Sequence, residues 1–133
     1  MTVQFNPYLS FRNDARAALE FYQSIFGGKL EISTFGSMGM GAASDADKVM
    51  HGHLTAPDVT LMASDAPSEM VLDGGTSMSL TLSGTDATAL RTYWDALTVG
   101  GEITLPLGPA PWGGEFGMCT DRFGTAWMVS IDS

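Results

Sequence analysis

Two short stretches of the chain share one pattern, and that pattern decides the fold. They read Gly27-Gly28-Lys29-Leu30-Glu31-Ile32 and, 73 positions further on, Gly100-Gly101-Glu102-Ile103-Thr104-Leu105. Each glycine pair follows a segment with helical spacing and precedes strand-like residues, because glycine adopts the left-handed conformation at a helix end at little cost. The same shift carries Leu9 onto Leu82, in the two segments that open the halves. The repeat predicts a duplicated unit.

The segments around these stretches follow one order in both halves. Apolar alternation predicts opening strands at residues 5–11 and 77–82. Three-to-four spacing of apolar side chains predicts a helix after each, capped by Asn13 or Asp14 and then by Thr85 or Asp86. The remaining strands are predicted at residues 30–35, 51–56, 60–64, 102–105, 115–120 and 125–131. The α+β fold that follows is two tandem βαβββ modules, about residues 4–66 and 77–132, in one domain spanning 1–133.

Three connectors interrupt this order, at residues 36–49, 67–76 and 106–114. The second is the predicted boundary between the halves. Pro7 lies inside the first predicted strand and favours an edge position, because proline donates no backbone hydrogen bond to a neighbouring strand. The glycines of residues 36–41 come with no lysine, which argues against a phosphate-binding loop.

Composition excludes several classes of function. Fifteen acidic residues against six basic ones give a formal net charge of −9. Such a charge repels nucleic acid and anionic membrane surfaces. Cys119 is the single cysteine, so no intrachain disulfide forms, and we expect it to be a small buried side chain. The N-terminus carries no signal-peptide pattern, and we expect a cytoplasmic protein without membrane contact.

Five stretches together resemble one known family, and they cover the chain from residue 6 to about residue 131. They are residues 6–11, 18–28, 61–66, 112–118 and 120–128, among them Asn6-Pro7-Tyr8-Leu9-Ser10-Phe11 and Thr120-Asp121-Arg122-Phe123-Gly124. These stretches resemble the PhnB-like branch of the vicinal oxygen chelate (glyoxalase/bleomycin-resistance/dioxygenase) superfamily. The resemblance implies a curved mixed sheet around a concave pocket, with helices on its convex side and a small-molecule ligand inside. It also implies a homodimer.

Two properties associated with the family, methyl transfer and metal binding, fit this sequence poorly. Some members are labelled demethylubiquinone methyltransferases, but no glycine-rich nucleotide loop is present for a methyl donor. By resemblance, the four metal-ligand positions of the superfamily map near Asn6, Met62, Ser79 and Met128. An amide, a hydroxyl and two thioethers are poor ligands for zinc, nickel, manganese or iron. We therefore predict no metal at these positions and no cofactor, with a divalent metal elsewhere disfavoured.

Strand alternation assigns side chains of the first half to the two faces of its sheet. Leu54 and Leu61 should pair on the helix-covered side. His53 then lies opposite Met62, and His51 opposite Ser64, on the open side. The opening strands should present to this open side Asn6, Tyr8 and Ser10, and in the second half Ser77, Ser79 and Thr81. In the last hairpin, a turn at residues 121–124 predicts pairing of Met118 with Trp127 and of Phe116 with Val129.

His51 and His53 are the only histidines, and their spacing places both on one face of a strand. Three readings stay open. They form a two-histidine metal clamp with Glu115 as a further donor, they line a polar cavity or an exposed strand face, or His53 is a catalytic acid/base.

Trp112 and Phe116 are the strongest candidates for ligand contact, because aromatic side chains beside a Pro/Gly-rich loop offer flat apolar surface. The alternative, equally open, is that Trp112 only closes the end of the domain. The full set of predicted ligand-binding residues is Tyr8, His51, His53, Met62, Trp112, Phe116 and Met128. The function that we expect is metal-independent binding of a small, partly apolar molecule. The alternative is a lyase, isomerase or dioxygenase of the superfamily that uses His51 and His53, with or without Glu115 and a divalent metal.

Overall fold

The computed structural model describes residues 3–68 and 78–133. It divides into two compact units, Met1–Gly74 and Gly75–Ser133. The predicted connector at 67–76 and the predicted strand start at Ser77 lie largely outside the described residues. Each unit is a βαβββ module with its own four-stranded mixed sheet and one α-helix. The predicted α+β fold is therefore confirmed.

The first unit contains four strands and one helix. Their bounds are β1 (Tyr8–Phe11), α1 (Ala15–Phe26), β2 (Lys29–Thr34), β3 (Val49–Thr55) and β4 (Thr60–Asp65), with a 3₁₀ turn at Ala43–Asp45. The sheet order is β1-β4-β3-β2, with β1 parallel to β4 and the other pairs antiparallel. Strand β1 is an edge strand, as predicted, but it begins at Tyr8 and not at residue 5, so Pro7 precedes it. The Pro7 carbonyl accepts a hydrogen bond from the Met62 amide.

The second unit repeats this arrangement. Its elements are β5 (Leu80–Gly84), α2 (Ala87–Leu97), β6 (Glu102–Pro109), β7 (Glu115–Thr120) and β8 (Ala126–Ile131). The order is β5-β8-β7-β6, again with a parallel first pair. Strand β6 was predicted to end at Leu105, but it continues to Pro109. It can pass through Pro106 because it is an edge strand and two irregularities interrupt its pairing with β7.

Each helix covers one face of its own sheet, and a glycine in the sheet allows the close approach. A side chain at Gly52 of β3 would lie 2.3 Å from Leu19 of α1, and one at Gly117 of β7 would lie 2.9 Å from Trp94 of α2. The buried residues of the cores alternate along the inner strands, among them Leu54, Leu61, Ala63, Cys119, Trp127 and Val129. The opposite face of each sheet is only half-buried.

The glycine pairs play the same part in both units. Gly27 and Gly100 have φ angles of 74° and 75°, in the left-handed region. A Cβ at Gly28 would lie 2.2 Å from the Thr55 carbonyl oxygen, and a Cβ at Gly101 would lie 2.3 Å from that of Thr120. The second glycine of each pair therefore has no room for a side chain, because the backbone at the end of β3 or β7 occupies that space. This shared geometry confirms the duplicated unit that the sequence predicts.

The cap of α1 differs from the prediction. Asp14 precedes the helix, but its side chain makes no capping hydrogen bond. Instead the buried carboxylate of Asp65 on β4 accepts from the Ala15 amide at 2.9 Å and from the Val49 amide at 3.0 Å. The prediction for α2 holds, since Asp86 accepts from the Ala89 amide at 3.1 Å.

The predicted register of the last hairpin is wrong by one residue. Cys119, not Met118, pairs with Trp127, and Gly117, not Phe116, pairs with Val129. Thr120 and Ala126 form the final pair, so five residues connect the strands where four were expected. The buried Asp121 organises this connection, because its carboxylate accepts from the Phe123 and Thr125 amides and from the Trp127 indole nitrogen. The register in the first unit is as predicted, with Leu54 opposite Leu61 and His53 opposite Met62.

Within residues 3–68 and 78–133, no helix is long and apolar enough to cross a bilayer.

Candidate functional site

The open face of the first sheet carries a polar cluster, which we define as Tyr8, His51, His53 and Glu31. Gly52 and Leu54 of β3 are buried beneath the helix, so His51 and His53, which alternate with them along the strand, point to the open face. The Tyr8 hydroxyl lies 3.4 Å from His51 Nδ1, and the ring centroids are 5.9 Å apart. The His51 and His53 ring centroids are 6.2 Å apart, with the rings inclined at 78°. The structure therefore brings three predicted ligand-binding residues together.

Two further side chains neighbour His53 across the strands. Met62 lies opposite it on β4, and Glu31 lies opposite it on β2. The Glu31 carboxylate forms an ion pair with the Lys29 ammonium at 2.9 Å. The hydrogen bond from Lys29 lowers the pKa of the Glu31 carboxyl, with a smaller contribution from His53. Sequence reasoning missed Glu31, although its place on β2, next to β3, would have identified it once the pairing was known.

Glu115, the further donor considered for a histidine clamp, is engaged elsewhere. It starts β7 on the face that α2 covers, and its carboxylate forms an ion pair with Arg91 of that helix. Glu115 and Phe116 are consecutive in β7 and so point to opposite faces of the sheet, which places Glu115 on the helix-covered face.

The residues that the resemblance maps near the superfamily's metal-ligand positions do not suit a metal ion. Asn6, Met62, Ser79 and Met128 offer an amide, a hydroxyl and two thioethers, whereas first-row divalent metals prefer imidazole, carboxylate or thiolate. In the part of the chain that the structure describes, no three or more His, Cys, Asp or Glu side chains are arranged to hold a metal ion.

The open face of the second sheet is apolar where that of the first is polar. In the first sheet Tyr8 of β1 pairs with Met62 of β4, which pairs in turn with His53 of β3. In the second sheet Thr81 of β5 pairs with Met128 of β8, which pairs in turn with Met118 of β7. His53 and Met118 thus hold equivalent places. By the same registers Phe116 occupies the place of His51. The Thr81 hydroxyl donates to the Met128 sulfur at 3.8 Å.

A cavity of about 270 Å³ lies between β6 and the loop that follows it. Trp112, on this loop, is 69% exposed and meets Phe116 edge-to-face with the ring centroids 5.5 Å apart. The loop is held by hydrogen bonds from the Ala110 amide to the Gly114 carbonyl and from the Gly113 amide to the Ala110 carbonyl. Eight residues line the cavity: Leu105, Pro106, Gly108, Pro109, Ala110, Pro111, Trp112 and Phe116.

This cavity can hold an apolar molecule. None of the eight lining residues has a charged side chain, and the Trp112 indole is the only side-chain hydrogen-bond donor among them. The sequence identified Trp112 and Phe116, but it could not reveal the wall made by Pro106, Gly108 and Pro109, because that wall exists only through the extension of β6. Cys119 lies on the buried face, where loss of solvent raises its thiol pKa to about 11. This places Cys119 in the core and not in the cavity.

A family model described as 3-demethylubiquinone-9 3-methyltransferase matches residues 3–130. The chain belongs to this family. The crystal structure of protein PA1353 from Pseudomonas aeruginosa is 36% identical to it, covers 98% of each chain and has a TM-score of 0.90. A putative 3-demethylubiquinone-9 3-methyltransferase, PhnB protein, from Bacillus cereus is 25% identical, with 97% of this chain and 99% of that chain covered and a TM-score of 0.78. The predicted resemblance to the PhnB-like branch is thus confirmed.

The family shares its fold with the wider superfamily. A glyoxylase/bleomycin resistance protein/dioxygenase domain from Frankia sp. EAN1pec has a TM-score of 0.67 at 17% identity, with 100% of this chain and 99% of that chain covered. At this identity the likeness concerns the fold alone.

Proposed function

We propose that the chain binds a small, uncharged, ring-containing molecule in the cavity beside Trp112, and that it does so without a metal ion. The observation that carries the proposal is a preformed apolar cavity of about 270 Å³ with an exposed tryptophan at its wall. Ligand sites are typically concave and mostly apolar, with few polar groups to fix orientation. The cavity beside Trp112 has this character.

The lining supports an uncharged ligand. A charged group entering the cavity would lose hydration, and none of the eight lining residues offers an opposite charge in return. The net charge of −9 further disfavours anionic ligands. An aromatic or quinone-like ring can instead contact both Phe116 and the largely exposed Trp112, whose ring centroids lie 5.5 Å apart.

The lining also supports binding in preference to catalysis at this place. It carries no histidine, carboxylate, hydroxyl or thiol that could transfer a proton or act as a nucleophile. The family's description names a methyl transfer, for which the sulfonium cation S-adenosylmethionine is a common donor. On our proposal, S-adenosylmethionine should not enter the cavity.

The test uses the neutral fluorescent probe N-phenyl-1-naphthylamine on the full chain in the presence of a chelator. We expect saturable enhancement of probe fluorescence. Trp112→Ala should weaken binding by about 10- to 100-fold, since burying a large apolar side chain is worth roughly 1.5–3 kcal/mol. Because Trp112 is mostly exposed, its replacement should leave the melting temperature unchanged.

The matched control is Phe5→Ala, which removes another aromatic side chain that is 99% exposed and lies in the first unit. It should bind the probe like the unmodified chain. Equal affinity of the Trp112 and Phe5 variants would overturn the proposal. So would binding that appears only when a divalent metal is added, or displacement of the probe by S-adenosylmethionine.

A further inference from the structure

We propose that Gly108 determines the size of the ligand that enters the cavity beside Trp112, and that its missing side chain admits uncharged molecules with more than one aromatic ring. This inference rests on the proposed function, because it concerns the same cavity. Gly108 belongs to the wall formed by the extension of β6 and lies opposite Phe116 in the β6–β7 register. Paired residues of neighbouring strands direct their side chains to the same face of the sheet. A side chain at Gly108 would therefore project beside Phe116, into the cavity.

The local backbone does not require a glycine at this position. Every other glycine of residues 3–68 and 78–133 either has a positive φ angle or would place a Cβ less than 3.0 Å from another atom. Gly108 has neither property. The atom nearest to its Cβ position is the Pro106 carbonyl oxygen, at 4.0 Å, and its φ angle lies outside the left-handed region. Pro109 also favours extended backbone at the residue before it, a conformation that any residue adopts.

The first unit shows that the module accepts a side chain at this place. Ser33 of β2 pairs with His51, as Gly108 of β6 pairs with Phe116. Since His51 and Phe116 hold equivalent places, Ser33 and Gly108 do so as well. The glycine is therefore a property of the second unit and not of the shared fold.

The space above Gly108 is left open for a ligand. Glycine weakens a strand, and within strands it often marks a place where a ligand or another backbone approaches closely. An aromatic ring on the neighbouring strand can also cover a strand glycine. The Phe116 ring does not do this, because none of its atoms comes within 4 Å of the Cβ position of Gly108. The open space belongs to the cavity that Gly108 lines.

A side chain here would take up a large share of the cavity. Its volume is about 270 Å³, near the lower limit for small-molecule sites. Three added carbon atoms fill roughly 90 Å³, since each takes up about as much space as a water molecule. Gly108→Val would thus occupy about a third of the cavity, which leaves room for one ring but not for a fused or linked pair.

The experiment compares two neutral ligands on the full chain: N-phenyl-1-naphthylamine, which joins a naphthalene to a phenyl ring, and phenol, which has one ring. Gly108→Val should weaken binding of N-phenyl-1-naphthylamine, followed by its fluorescence, by at least about 10-fold, because forcing carbon atoms into occupied space is costly. Gly108→Ala should weaken it by a smaller factor. Phenol affinity, measured by ligand-observed NMR titration, should change by less than about 3-fold in both variants.

Melting temperatures separate this role from a structural one. Neither Gly108→Ala nor Gly108→Val should lower the melting temperature. Replacing a glycine whose backbone is unstrained restricts the unfolded chain, and β-branched side chains favour strands. A glycine required by the backbone would instead give a loss of stability in both variants.

The matched control is Ser33→Val, which adds carbon atoms at the equivalent place of the first unit. It should bind both ligands like the unmodified chain, because Ser33 does not line the cavity. Trp112→Ala, which should weaken binding of N-phenyl-1-naphthylamine, is measured alongside.

Three results would overturn the inference while the proposed function stands. They are an unchanged affinity of Gly108→Val for N-phenyl-1-naphthylamine when Trp112→Ala still weakens it, an equal loss of phenol binding, or a fall in the melting temperature of Gly108→Ala by more than about 5 °C. Failure of the unmodified chain to bind N-phenyl-1-naphthylamine would overturn the proposed function, and this inference with it.

Discussion

Replacing Asp65 by asparagine should destabilise the first unit far more than the same change at Asp14. Asp65 is 3% exposed, and its two carboxylate oxygens accept separately from the Ala15 and Val49 amides. One carboxylate therefore joins the start of α1, the start of β3 and the end of β4. Asparagine keeps one oxygen but turns the other into an amino group that faces a backbone N–H.

The size of the effect follows from these contacts. A hydrogen bond to a charged group contributes about 1.5–3 kcal/mol, and a buried donor left facing another donor costs about 1–3 kcal/mol. Because such contributions overlap, we expect Asp65→Asn to lose about 3 kcal/mol, which corresponds to a fall in melting temperature of roughly 10 °C for a chain of this length. Asp14→Asn should stay within about 0.5 kcal/mol, since Asp14 makes no capping hydrogen bond.

The assay is urea unfolding followed by circular dichroism, together with hydrogen exchange at the Ala15 and Val49 amides. In Asp65→Asn, at least one of these amides should exchange faster than in the unmodified chain, relative to the other amides of the first unit. If Asp14→Asn were the more destabilising change, or if Asp65→Asn unfolded at the same urea concentration as the unmodified chain, the long-range cap would be refuted.

Three further outcomes can be measured directly. Gly28→Ala should lower the free energy of unfolding by at least about 2 kcal/mol in thermal melting, because its Cβ would lie 2.2 Å from the Thr55 carbonyl oxygen. Gly27→Ala should cost only about 1 kcal/mol, because the space around Gly27 is open and only its left-handed backbone conformation opposes a side chain. Cys119 should resist thiol reagents at pH 8 in the folded chain and react once the chain is unfolded. The reason is that burial raises the pKa of its thiol to about 11, and the reactive thiolate forms only near that pH. Rapid labelling of the folded chain would contradict this. We also propose a homodimer, which sedimentation at micromolar concentration should detect; a monomer alone would contradict it.

The order of elements was predictable because it depends on local signals. Apolar spacing located both helices, and the glycine pairs located their ends and the strands β2 and β6. The same local reasoning failed where distant residues decide the structure. The cap of α1 comes from Asp65, 50 positions away from Ala15. No pattern around Asn13 or Asp14 could have indicated this.

The candidate sites were predictable only in part. Trp112 and Phe116 were identified as a pair from their chemistry and their place beside a Pro/Gly-rich loop. The register of β7 and β8 was not, because the carboxylate of Asp121 holds a connection one residue longer than the turn signal suggests. Glu31 was missed since its importance depends on cross-strand pairing with His53, which the one-dimensional sequence does not display.

The two halves of the chain serve as natural references for each other. The inner layer beneath each helix is alike in the two halves, with Gly52 and Gly117 in matching places, whereas the outer layer carries His53 in one half and Met118 in the other. Exchanging His53 and Met118 would move the polar side chain from one open face to the other and leave the buried residues unchanged. A single gene thus offers an engineer two differently decorated versions of one scaffold.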